Sequence, residues 1–281
     1  LKFVTYFPAG STTSQLGVLD GAQVAPIAGL ADLAAGLAAG DLAARAQAAL
    51  AQAARVALEG LTLAQPVLRP GKIVCLGLNY FDHAKEGGRD KPEYPWFFFR
   101  GATSLMAHGE PGLRPRVSER FDYEAELAVI IGSRARHLSQ ADALSCVFGY
   151  TCFNDMSVRD YQKKTPQWTI GKNFDGTGGF GPVVVTADEL PPGATGLRIQ
   201  SRLNGQVMQD ANTTDMIWGV AETIALLTEC LTLEPGDVIA MGTPAGVGQA
   251  RTPPVWMKGG DVIEIDIERV GVLRNPIVNE A

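Results

Sequence analysis

Histidine and cysteine are both scarce: the 281 residues include three of the first and four of the second. Cys75, Cys146, Cys152 and Cys230 are scattered with no C-x-x-C spacing. That excludes a disulfide framework and a zinc ribbon, and leaves buried apolar thiols in a reducing compartment as the expectation. Cations are outnumbered, 24 Lys and Arg against 30 Asp and Glu, for a net charge of −6. Phosphate affinity needs a surplus of cations, so no nucleic-acid partner is expected. A small anionic substrate is not excluded, because a metal or a few basic residues can meet it locally. Long apolar runs are missing too. The alanine-rich stretch 28–58 is broken by Asp32, Asp41, Arg45 and Arg55, short of the roughly 20 apolar residues a membrane span requires. The opening LKFVTYFPAG has no basic patch ahead of an apolar core, so no signal peptide is expected. These absences together predict a cytoplasmic protein with no membrane partner.

What is present is 46% apolar residue content with 32 glycines and 17 prolines. This composition excludes a disordered chain, a coiled coil and a collagen-like repeat. Its texture changes near residue 66. Before it lie strand-like runs at Lys2–Phe7 and Leu16–Leu19, then the alanine-rich segment, with Asp32 and Asp41 as helix starters and Gly60 as a helix end. Residues 1–66 read as a small amino-terminal α/β domain without chemistry, and 67–281 as the catalytic domain. From Val67 onward short β-rich runs dominate: Lys72–Leu76, Ala125–Ile131, Phe148–Phe153, Gly181–Thr186, Val238–Met241 and Val262–Ile267. Leu197–Leu203 and Gln206–Gln209 flank Asn204-Gly205, a strong hairpin signal. Helices are fewer, Ala221–Leu231 being the clearest. The fold class expected is therefore α+β and β-rich, a sandwich, roll or barrel.

Five constellations carry chemistry. In Phe121–Gly132, Glu124 and Glu126 share one face of a strand that turns wholly apolar after Glu126. Adjacent carboxylates repel unless a cation or proton sits between them, which suggests a hard-cation site against the alternative of a solvated polar face. In Thr151–Gln162 an apolar strand ends at Asn154-Asp155, and Arg159 and Gln162 follow at helical spacing. The plain alternative there is an N-cap aspartate ion-paired to Arg159. In Gly77–Gly88, His83 and Glu86 are three apart, so the carboxylate can orient the imidazole as a general base, and Gly87-Gly88 would hinge a lid. The other two histidines, His108 and His137, have no such partner. Lys172, in the apolar run Trp168–Phe174, needs an anion if it is buried, or else snorkels at the surface. The loop Met241–Gly248 lacks the spacing of phosphate and dinucleotide loops and reads as a tight turn whose N–H groups could receive a carboxylate.

The order of these signals is informative. Asn79-Tyr80-x-Asp82-His83-x-x-Glu86, then Glu124-x-Glu126-Leu127, then Asn154-Asp155-x-x-x-Arg159-Asp160-x-Gln162, then Trp168-Thr169-x-x-Lys172-x-Phe174, then Gly242-Thr243-Pro244-x-Gly246-Val247-Gly248 resembles the fumarylacetoacetate hydrolase family. The resemblance runs from Val67 to the carboxyl end and is nearest the short bacterial branch of acylpyruvases and diketo-acid hydrolases. It implies a mixed β-sandwich roll in a homodimer. It implies Mg2+, with Mn2+ tolerated, on Glu124, Glu126 and Asp155, a general-base pair of His83 and Glu86, and Lys172 polarising the substrate. Arg159 and Gln162 match positions that steady the substrate, and Asn79, Tyr80 and Thr243 match the pocket wall. The departure is in the lid, where Gly87-Gly88 leads into the charged, proline-bearing stretch Arg89–Pro95.

The activity implied is metal-dependent hydrolysis of the C–C bond of a 2,4-diketo acid through a pyruvate enolate, in aromatic-compound or sugar-acid catabolism. The same site would serve decarboxylation or isomerisation of a hydroxymuconate-type or oxaloacetate-type acid, since fold does not settle reaction type. From a different class, the acidic cluster could hold structural Ca2+ in a non-catalytic binding module.

Overall fold

Ala125–Ile131 is apolar at every position except Glu126, and all seven of its residues are buried. A strand like this belongs in the middle of a sheet covered on both faces, and that is its place. In the structure, a computed structural model describing residues 1–51, 54–88 and 92–281, it is flanked by two antiparallel neighbours, Val147–Asp155 and Val238–Ala240. Beyond Val238–Ala240 run Ile73–Gly77, parallel to it, and then Trp96–Phe99. Beyond Val147–Asp155 comes Gly178–Thr186. Lys2–Phe7 pairs antiparallel with that strand, Phe3 opposite Val184, and Gln15–Asp20 and Gln23–Pro26 follow outward. The amino-terminal strands thus continue one 12-stranded sheet across the composition change near residue 66.

Period-two alternation decides what covers each face. Ala128 and Ile130 point to a cluster with Phe3, Leu16, Leu33 and Ala46, under the helices Leu33–Ala39 and Leu42–Ala51. Leu127, Val129 and Ile131 point the other way, to Ile263, Ile265, Ile267 and Leu273 of a second, five-stranded sheet. That sheet is built on the hairpin Arg198–Leu203 and Gln206–Asn212, whose turn holds Asn204 at φ +52° and Gly205 at φ +81°, the left-handed pair a two-residue turn requires. The result is β-rich with few helices, its two larger sheets packed face to face.

Local signals worked unevenly. Asp32 caps the first helix through Ala35 N at 2.9 Å and also accepts from Leu68 N at 2.9 Å. Gly60 closes no helix: a short strand, Val56–Ala57, lies between it and the second helix, and Gly60 turns the chain at φ +83°. Three cysteines are buried as expected, but Cys230, at the end of the helix Val220–Cys230, is exposed. No helix among the described residues is long and apolar enough to cross a membrane.

Candidate active site

Strand register brings the acids together. Ala125 pairs with Asn154, so Glu124 stands opposite Asp155, whose N–H donates to the Glu124 carbonyl at 3.0 Å. Glu126, two residues along, shares their face. One oxygen from each of the three carboxylates lies within 4.8 Å of the others, and all three residues are buried.

Three buried cations answer them. Lys172, only 2% exposed, ends the short helix Thr169–Lys172 and places Nζ 2.6 Å from both Glu124 Oε2 and Asp155 Oδ2. Arg159 opens the helix Arg159–Gln162 and donates from Nη1 to Glu124 Oε1 at 2.7 Å and from Nε to Asp122 Oδ2 at 2.8 Å. Arg100, just past Trp96–Phe99, donates to Asp155 Oδ1, to Thr177 Oγ1 at 2.8 Å and to Ser104 Oγ at 3.2 Å. The anticipated alternative of an N-cap Asp155 paired with Arg159 is corrected. Asp155 is the last residue of a strand, a second short strand, Ser157–Val158, separates it from the helix, and Arg159 turns to Asp122 and Glu124 instead.

Four buried carboxylates, Asp122 included, thus face three buried cations. The imbalance falls on Glu126, whose Oε2 accepts from the Gly242 N–H at 2.9 Å and which forms no ion pair among the described residues. Burial, with Asp155 and Glu124 alongside, pushes its carboxyl well above the ordinary range. Burial also opposes ionisation of Glu124, but Lys172 and Arg159 overcome it and hold that carboxyl down to about 2. A compact set of hard oxygen donors with one uncompensated charge is what Mg2+ or Mn2+ fits, and Glu124, Glu126 and Asp155 would hold it.

His83 and Glu86 ride on the helix Phe81–Glu86, three apart on one face, with His83 Nδ1 3.5 Å from Glu86 Oε1. The other Glu86 oxygen accepts from the Gly246 N–H at 2.7 Å. The glycine loop after Val238–Ala240 therefore receives carboxylates from three directions: Glu126 at Gly242, Glu86 at Gly246, and Asp122 at Gly248 (2.7 Å) and Gln249 (3.0 Å). Of the lid stretch Arg89–Pro95, residues 89–91 lie outside the described residues.

Part of this set lines one cavity of about 720 Å3, with Asp155, Asp122 and Arg100 behind its wall. Glu124, Glu126 and Lys172 lie on its acidic side, His83 and Glu86 face it, and Trp96, Phe98 and Trp168 form an aromatic wall. Arg159, Gln162 and Thr243 also reach it, the Thr243 hydroxyl oxygen accepting from Gln209 Nε2 at 2.8 Å. Asn79 and Tyr80 do not line it. The Asn79 amide is spent on the backbone, donating to Trp218 O at 3.0 Å and Met241 O at 2.7 Å and accepting from Trp218 N at 2.8 Å. Tyr80 is buried beside it. Sequence reasoning passed over Arg100 and Asp122. Asp122 carried a faint signal, an acid just ahead of an apolar strand; Arg100 carried none.

Residues 72–278 match the family model described as fumarylacetoacetate (FAA) hydrolase, C-terminal. A human mitochondrial oxaloacetate tautomerase is 40% identical over 220 residues, 78% of this chain and 70% of that protein. The solved fumarylacetoacetate hydrolase of Exiguobacterium antarcticum is 33% identical with a TM-score of 0.87, covering 99% of both chains. A maleylpyruvate hydrolase of Sphingobium sp. SYK-6, solved with manganese(II) and pyruvate, is 29% identical with a TM-score of 0.82, covering 100% of both.

Proposed function

The chain belongs to the fumarylacetoacetate hydrolase family, and from that premise we propose that it is a divalent-metal-dependent enzyme converting a short 2-oxo acid through its enolate. The convergence of Glu124, Glu126 and Asp155 within 4.8 Å, the two glutamates lining a cavity shared with His83 and Glu86, carries this reading. A divalent cation, Mg2+ or Mn2+, supplies Lewis acidity toward the substrate's carboxylate and 2-oxo oxygens when bound.

The protein's own groups do the rest. Glu86, fixed by the Gly246 N–H, stands 3.5 Å from His83 Nδ1, a buried nitrogen with no hydrogen-bond partner among the described residues, so a small approach of the two would orient the ring and leave Nε2 to take a proton from the substrate carbon or from water. Lys172 adds fixed positive charge where an oxyanion develops. Arg159 keeps Nη2 without a partner among the described residues, a donor free to steady a substrate carboxylate with Gln162. The Thr243 hydroxyl, accepting from Gln209, retains its own proton to donate into the cavity. Trp96, Phe98 and Trp168 limit the water that reaches the enolate.

Proton transfer alone, the tautomerisation of an oxaloacetate-type acid, is the outcome we favour, on the 40% identity to an oxaloacetate tautomerase. Hydrolytic C–C cleavage of a 2,4-diketo acid is the second reading, on the likeness along the whole chain to a maleylpyruvate hydrolase. A homodimer is part of the same proposal. The test follows enol oxaloacetate by its ultraviolet absorbance, and acylpyruvates by pyruvate release in 18O-labelled water, each with and without EDTA. Metal-dependent loss of the enol with no labelled carboxylate supports tautomerisation. Label in a product carboxylate supports hydrolysis, and no EDTA-sensitive turnover on either class sinks the proposal.

A further inference from the structure

One wall of the cavity is basic, and the chemistry above leaves part of it unused. Lys163 lines the cavity, is exposed, and forms no ion pair among the described residues. It follows the helix that starts at Arg159, its N–H donating to the Arg159 carbonyl at 3.2 Å, so the two side chains stand one turn apart on the same face. Its neighbour Lys164 is already engaged, with Nζ 3.3 Å from the centroid of the Tyr161 ring. Asp122 draws Arg159 and Gln249 together by accepting from Arg159 Nε and Gln249 N. Arg159 keeps a buried donor, Nη2, without a partner among the described residues. Partial burial and the nearby guanidinium groups of Arg159 and Arg120 lower the Lys163 pKa against the opposing charge of Asp122.

We propose that Lys163 seats a second carboxylate of the substrate, Arg159 Nη2 steadying the first, so that the enzyme selects 2-oxo dicarboxylates over 2-oxo acids with an uncharged tail. This rests on the 2-oxo acid reading of the site. Charge balance supports it. The buried cluster with a divalent cation in place carries one positive charge, which the first carboxylate of a 2-oxo acid neutralises; the Lys163 ammonium is left for a second. Length supports it as well. Arg159 touches Glu124, and Lys163 lies one turn further, about 5 Å along a helix, a span suited to a short diacid.

The experiment is calorimetric titration of the Mn2+-loaded full chain with oxaloacetate and with 2-oxobutanoate, which differ only in carboxylate against methyl at the far end. Wild type is expected to bind oxaloacetate more tightly. K163Q is expected to weaken oxaloacetate by roughly three- to tenfold and leave 2-oxobutanoate unchanged, while K163R keeps most of the preference. Equal weakening of both ligands, or no change in their ratio, overturns the inference and leaves the 2-oxo acid reading standing. If neither acid binds the loaded wild type, that reading falls and the inference falls with it.

Discussion

Lys172 stands between Glu124 and Asp155, its Nζ 2.6 Å from an oxygen of each. The ammonium holds two of the three candidate metal ligands in place, in a setting where either carboxylate alone would be costly to bury. Lys172→Met leaves both acids without it. We expect metal-free protein to lose on the order of 3–5 kcal/mol, read as a lower melting temperature, with Mn2+ recovering part of the loss. A variant that melts with the wild type in EDTA would refute this electrostatic account.

The His83–Glu86 pair makes a separable prediction. Neither residue belongs to the acidic trio, so His83→Ala and Glu86→Gln should leave Mn2+ affinity, measured by electron paramagnetic resonance, close to that of wild type. Turnover on the accepted 2-oxo acid should fall by about 10²–10⁴. Full activity in both variants would instead favour a binding module with a structural ion.

Glu124 and Glu126 are displaced in opposite directions, which gives stability a signed pH dependence. Glu124, held to about 2, contributes stability above the ordinary carboxylate range that is lost as pH falls toward that value. Glu126 is raised, so its contribution is present below the ordinary range and is lost as pH rises through its elevated folded value. Metal-free protein should therefore melt progressively earlier as pH climbs out of the carboxylate range. Glu126→Gln should flatten that slope, and so should saturating Mn2+. Thermal melts across pH in EDTA decide it; an unchanged slope in Glu126→Gln counts against the assignment.

Gly171 is where the helix carrying Lys172 crosses the helix carrying Arg159 and Gln162. A Cβ there would lie 2.3 Å from Gln162 N and 2.4 Å from Gln162 Cα, backbone atoms that cannot yield without moving a helix. Gly171→Ala is expected to cost about 1–3 kcal/mol and also to weaken Mn2+ binding, because separating the helices shifts Lys172 relative to Arg159. Loss of stability with metal affinity intact would mean that the two helices do not position the site jointly.

Legibility in the sequence followed the strength of local pattern. Ala125–Ile131 and Val262–Ile267 were readable from apolar runs and alternation, and they match the strands observed. Gly271–Asn279 passed unnoticed although it is nine residues long, because Arg274, Asn275 and Pro276 interrupt its alternation; register with Val262–Ile267 supplies the missing stability. Trp96–Phe99 was hidden beside a proline-bearing stretch. In the site, Glu124, Glu126, Asp155, His83 and Glu86 were legible as spaced motifs, whereas Asn79 matched a motif but serves the backbone around Trp218 and Met241.

By itself the sequence determined which groups were available: two glutamates on one strand face by simple alternation, a histidine and a glutamate one helical turn apart, and an acid at a strand end. Only the tertiary structure decided that Asp155 lies opposite Glu124, that Arg100 reaches it from 55 residues away, and that Arg159 turns to Asp122 rather than Asp155. The reason is physical. Alternation and helical spacing are short-range geometry written into consecutive residues, while the energy between charges depends on separation in space, which sheet register and backbone crossings set.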